Sequence, residues 1–157
     1  MRVAIVAARW NPEITDALAA GALETARGAG AVVDSFTVAG SFELPAAVAL
    51  LADTGRYDAI VPLGCLIRGE TPHFDVLAQT VARGLLSLSL AYPVAIPFGV
   101  LTCDTLAQAR SRAGGRKGNK GAQWMEAALE LVALRAQIAS QRRSSRRAST
   151  AASRSTS

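Results

Sequence analysis

The chain holds a single histidine, and His73 stands in its densest run of chemistry-bearing residues, Gly64-Cys65-Leu66-Ile67-Arg68-Gly69-Glu70-Thr71-Pro72-His73-Phe74. A glycine-containing turn there leads into a helix start, where unpaired N–H groups and the helix dipole attract an anion. His73 falls in the first helical turn, beside that anion site and suited to moving protons. Cys65 at the strand–turn corner, with His73 as its base, would be the working pair of a cysteine-nucleophile hydrolase, although no oxyanion turn is recognisable to complete it. Trp10 reads either as core or as a platform for a flat ligand. Glu43, beside Phe42, either compensates a helix N-terminus or accepts hydrogen bonds from ligand hydroxyls. Arg112, Arg116, Lys117 and Lys120 surround a Gly-rich loop and read equally as a solvated basic loop or a phosphate clamp. One His and two separated Cys make no metal constellation. Neither GxGxxG nor a Walker loop is present, so no nucleotide cofactor is indicated.

The elements that must position these groups show in the period of the apolar pattern, which switches between strand-like runs and helical stripes. Val3 to Ala8 predicts a strand covered on both faces. Asn11 and Pro12 predict the cap and first residue of a helix that Gly28 and Gly30 end. A strand over Val32 to Val38 follows and then, after Ala39-Gly40-Ser41, a helix to about Thr54. Ala59 to Gly64 predicts a third strand, and Thr71-Pro72 the start of a helix with Phe74, Leu77, Ala78, Val81 and Leu85 on one face. Val94 to Leu101 predicts the fourth strand, Asp104 the cap of a short helix, and Gly114 to Gly121 a loop. A last helix spans about 122–139 and carries Met125, Leu129, Val132 and Ala136 on one side, with Trp124 read as packing. Four strands alternating with helices predict a three-layer α/β domain around a parallel sheet. In such sheets ligands bind beyond the carboxyl ends of the strands. Trp10, Phe42, Phe98 and His73 all fall on that edge.

The chain's 157 residues suit one domain, and half of them are hydrophobic, enough for a core. The net charge of +5 belongs to the end of the chain. Residues 140–157 hold five Arg and no acid, which leaves 12 basic residues against 12 acidic ones in residues 1–139. A neutral folded part without a basic-aromatic surface pattern predicts no nucleic-acid partner. The Arg/Ser-rich segment 140–157 has no hydrophobic period and is expected to be disordered. Two cysteines are too few for a disulfide scaffold, and the N-terminal apolar run is too short for a secretory signal, so a reduced, cytoplasmic protein is expected. Residues 84–103 are uncharged, but Ser87, Ser89, Pro93 and Pro97 break the run, and no membrane association is expected.

The segment from Gly64 through Asp75 closely resembles the signature of the 6,7-dimethyl-8-ribityllumazine synthase family of riboflavin biosynthesis. Four more blocks match in order: Ala8-Arg9-Trp10-Asn11, Gly40 to Pro45, Phe98 to Thr102, and Arg112-Ala113-Gly114 through Gly118-Asn119-Lys120-Gly121. Together they cover roughly residues 2–135. The resemblance implies a flavodoxin-like three-layer sandwich with a central four-stranded parallel sheet. It also implies condensation of 5-amino-6-(D-ribitylamino)uracil with 3,4-dihydroxy-2-butanone 4-phosphate, with loss of phosphate and water and no cofactor. By position, Trp10 would stack on the uracil ring, and Ser41, Phe42, Glu43, Cys65, Leu66 and Ile67 would line the ring and ribityl site. Glu70 and Thr71 would offer backbone N–H groups to phosphate, and His73 would transfer protons. Phe98 and Arg112 would come from a neighbouring subunit, Arg112 holding phosphate with Lys120 nearby. The resemblance implies a homopentamer, compatible with a 60-subunit shell. Two features depart from the family pattern. Ala39 stands where the family usually has Pro, and the chain starts directly at the first core strand, where members usually carry a further strand that pairs with a neighbour's sheet.

Overall fold

The structure, a computed structural model, describes the backbone of residues 1–154 and the side chains of all of these except residues 148 and 151–154. Strand β1 (Arg2–Ala8) leads to α1 (Pro12–Gly28), β2 (Val32–Val38), a 3-10 turn (Ser41–Glu43), α2 (Leu44–Asp53) and β3 (Ala59–Ile67). Then follow α3 (His73–Ala91), β4 (Val100–Cys103), α4 (Leu106–Arg112), the short strands β5 (Ala113–Gly115) and β6 (Gly118–Asn119), and α5 (Lys120–Arg154). The main sheet has the order β2-β1-β3-β4, all parallel. This is the α/β sandwich that the alternating pattern predicts.

Strand alternation divides the core in two. Val3, Ile5, Val61, Leu63 and Cys65 face α1, α4 and α5, where Ile14, Leu18, Ala22, Ala109, Met125 and Ala128 meet them. Ala4, Val6 and Ile60 face α2 and α3, where Leu44, Val48, Val81 and Leu85 close the other side. Each fully buried Leu, Ile or Val contributes roughly 1.5–3 kcal/mol to this burial. Because α1 lies on one face and α2 and α3 on the other, the chain changes direction between β1 and β3. That is the switch point at which α/β sheets bind ligands.

Several elements differ from the sequence expectation. The fourth strand is Val100–Cys103 rather than Val94 to Leu101. Pro97 removes a donor within that run, and Ala95 makes only an isolated bridge to Ala59. The cap of α4 is Thr105, whose hydroxyl accepts from Gln108 N–H at 3.1 Å, and Asp104 is released for another partner. The Gly-rich loop is a β5–β6 hairpin, and α5 begins at Lys120.

Helix α5 also runs through Arg154, past the point near 139 where the apolar stripe ends and disorder is expected. Ala, Gln and Arg favour helix. The hydroxyls of Ser144, Ser145 and Thr150 donate to carbonyls four residues back. Residues 141–147 bury nothing, so local propensity alone draws this stretch. Residues 155–157 lie outside the described residues. No helix among the described residues is long and apolar enough to cross a membrane.

Candidate active site

At their carboxyl ends β1 and β3 part. Their pairing stops at Ala7 opposite Leu63, while β3 continues to Ile67 against β4. The backbone then turns at Asn11, which has φ 58°, the left-handed region that Asn tolerates. The side chain of Asn11 does not cap α1; instead its Nδ2 donates to the Cys65 carbonyl at 2.9 Å, across the gap between the strands. Over this fork opens a cleft of about 670 Å³.

One wall comes from the ends of β1 and β2. Trp10 is 73% exposed and Phe42 61% exposed, and both line the cleft. Trp10 is therefore not core. Gly40 lets the indole approach, since a Cβ at that position would stand 3.0 Å from Trp10 Cδ1. Glu43 Oε2 accepts from the Gly40 N–H at 2.9 Å. Glu43 thus serves the turn with one oxygen while its carboxylate borders the cleft. Ser41 is buried against Gly64, where any Cβ would collide with its hydroxyl.

The floor and far wall come from β3 and α3. Cys65, Leu66 and Ile67 line the floor, and His73, Val76, Leu77 and Thr80 line the α3 side. The His73 backbone N–H donates to Thr71 Oγ1 at 3.4 Å. Glu70 and Thr71 sit in the exposed turn just before α3, next to His73 in the chain but not part of the cleft lining. Burial, with a smaller push from Cys103, raises the Cys65 thiol to about 12. Such a thiol stays protonated at neutral pH and is a poor nucleophile.

Eight of the sequence-predicted residues thus share one cleft: Trp10, Ser41, Phe42, Glu43, Cys65, Leu66, Ile67 and His73. Phe98, Arg112 and Lys120 are not among its lining. Phe98 is 42% exposed on the approach to β4. Arg112 lines a separate hollow of about 470 Å³ with Arg116 and Lys117, and its Nη1 donates to the Gln108 carbonyl at 3.0 Å. Lys120 Nζ donates to Gln123 Oε1 at 2.7 Å within the first turn of α5. Asn11, Gly40, Val76, Leu77 and Thr80 line the cleft without having been singled out as site residues by their sequence pattern.

A hydrophobic cleft with two exposed aromatic faces, a carboxylate, a buried hydroxyl and one imidazole suits a flat, polar-edged heterocycle and proton transfer to it. The family model described as 6,7-dimethyl-8-ribityllumazine synthase matches residues 1–136. Curated relatives that carry this name are similar over most of the chain. One from Frankia casuarinae is 51% identical over 138 residues, covering 85% of this chain and 85% of the relative. Another from Gemmatimonas aurantiaca is 46% identical over 136 residues, covering 85% of this chain and 83% of the relative. A third from Methylobacterium radiotolerans is 48% identical over 134 residues, covering 85% and 82%.

Proposed function

The chain belongs to the 6,7-dimethyl-8-ribityllumazine synthase family, and from that premise we propose that the cleft over the β1–β3 fork is its active site. The protein is a transferase that condenses 5-amino-6-(D-ribitylamino)uracil with 3,4-dihydroxy-2-butanone 4-phosphate to the lumazine, releasing phosphate and water. The observation that supports the placement is the meeting, in one cleft, of sequence blocks far apart in the chain: Trp10-Asn11, Gly40 to Glu43, and Cys65 to Ile67 with His73.

Trp10 stacks on the uracil ring. Ser41, Phe42 and Glu43 hold the ring and the ribityl hydroxyls above a floor of Cys65, Leu66 and Ile67. The backbone N–H groups of Glu70 and Thr71, just before α3, receive the phosphate of the second substrate. The 5-amino group attacks the ketone and loses water to give an imine, phosphate leaves by elimination, and the ribitylamino nitrogen closes the ring with loss of a second water. His73 takes and returns the protons of these steps. The organic steps are intrinsically accessible, so most of the acceleration comes from holding two substrates in register.

Phe98 and Arg112 complete the site from a neighbouring copy, with Lys120 nearby, a reading in keeping with their lying outside the cleft of their own chain. Closed rings are the expected solution when one face must meet a different face of the next copy. The unit is a cytoplasmic homopentamer, compatible with a 60-subunit shell. The direct test mixes the protein with both substrates and follows the lumazine chromophore, with sedimentation reporting the size of the active species. A fully active monomer would sink the shared site.

Two further outcomes are expected. A Cys65-based hydrolase has no support from the family, and the buried, protonated thiol speaks against it. Native protein at pH 7.5 should react slowly with an alkylating reagent, and a folded Cys65→Ala variant should keep most of its condensation rate. Complete loss in that variant would return Cys65 to the chemistry. Residues 1–139 form the catalytic unit, so truncation after Ala139 should leave the rate unchanged. A clear fall in rate in the truncated, assembled protein would make the Arg/Ser segment part of the working enzyme.

A further inference from the structure

We infer that Arg68 is a positioning residue, a staple that holds both ends of the turn 69–72 and so fixes His73 and the turn's N–H groups in one geometry. The inference rests on the proposed roles of His73, Glu70 and Thr71. Arg68 follows β3, and its backbone N–H donates to the Cys103 carbonyl at 2.9 Å, continuing the β3–β4 pairing by one residue. Its guanidinium reaches in three directions. Nε donates to Asp104 Oδ1 at 2.8 Å, after β4. Nη1 donates to both oxygens of Asp75, at 3.1 and 3.0 Å, in the first turn of α3. The cation also lies over the Phe74 ring, 4.5 Å from its centroid. The two residues that follow His73 are thereby tied to the residue that precedes the turn.

The accessibility of these groups decides what the network is for. The Arg68 side chain is 44% exposed, with Asp75 at 53% and Asp104 at 64%. Ion pairs this wet contribute little to folding. A planar fork that serves two carboxylates and an aromatic face at once still restricts the turn between them. Lys, a point charge on a flexible stem, can satisfy one carboxylate at a time. Because catalysis here depends on register, a looser turn costs rate and phosphate affinity rather than stability.

Steady-state kinetics on Arg68→Gln and Arg68→Lys, with thermal unfolding and sedimentation on the same samples, test the staple. Arg68→Gln is expected to lower kcat by ~10-fold and to raise KM for the butanone phosphate, leaving KM for the pyrimidine and the thermal midpoint nearly unchanged. Arg68→Lys should recover part of the loss. On a His73→Ala background, Arg68→Gln should cost much less in kcat than it does alone, because one residue acts through the other. An equal rise in both KM values, an unchanged kcat, or full additivity with His73→Ala would overturn the inference. A wild-type rate in His73→Ala alone would instead overturn the proton-transfer reading, while the split between the two KM values still judges the staple. Should Arg68→Gln fail to assemble, Asp75→Asn and Asp104→Asn remove the arms separately. Each should reproduce part of the effect, and wild-type kinetics in both would refute the staple.

Discussion

Replacing His73 with Ala is expected to slow turnover by ~10- to 100-fold without abolishing it. The imidazole borders the same cleft as Trp10 and Phe42, from the first turn of α3. It can exchange protons with the amines and the leaving groups of the condensation. The aromatic platform, the floor of β3 and the turn before α3 remain when it is removed, so orientation survives. Single-turnover rates from the lumazine chromophore would measure the loss. Complete inactivity in a folded, assembled variant would mean that His73 does more than shuttle protons, and an unchanged rate would take it out of the mechanism.

The second large effect is expected at Arg112. A charge-assisted contact to phosphate contributes about 1.5–3 kcal/mol, so Arg112→Ala should weaken use of the butanone phosphate by ~10- to 100-fold. Uracil binding should change far less. Arg112→Lys should fall well short of restoring wild-type behaviour, because Lys lacks the planar fork. In its own chain Arg112 lies outside the cleft, in a basic hollow with Arg116 and Lys117. If it acts across an interface, mixing the impaired Arg112→Ala and His73→Ala subunits regenerates intact sites at some boundaries and raises the rate above that of either variant alone. No recovered activity in demonstrated mixed oligomers would point to sites built within one chain.

The sequence made the sheet legible where local pattern and tertiary environment agree. β1 and β3 are buried on both faces and read as continuous apolar runs, and α1 is bracketed by Pro12 and by Gly28 and Gly30. The pattern misled at 94–99, because an apolar run with prolines packs like a strand yet cannot complete a ladder. Past residue 139 the backbone of α5 continues to Arg154 although the apolar stripe has ended. The cleft was legible through the rule that ligands sit at the carboxyl ends of strands. Leu77 was missed as a lining residue because it sits on the buried stripe of α3, where packing and lining look alike. Asn11 was read as a helix cap, and only the strand fork reveals why its amide turns to Cys65 instead. Phe98, Arg112 and Lys120 do not line the cleft of the single chain, so its geometry gives them no place there.

The parting of β1 and β3 also sets a gradient of local opening. Amide hydrogens of β1 are held between β2 and β3, and those of β3 are held by β1 and then by β4. They should exchange with solvent only through the largest unfolding events. The amide hydrogens of Gly69, Glu70 and Thr71 lie outside this ladder, in the exposed turn before α3. They should exchange through small local fluctuations, orders of magnitude faster. The floor of the cleft therefore belongs to the most slowly exchanging part of the molecule, while the turn before α3, tied by Arg68 to Asp75 and Asp104, exchanges its hydrogens locally without disturbing a single strand of the sheet.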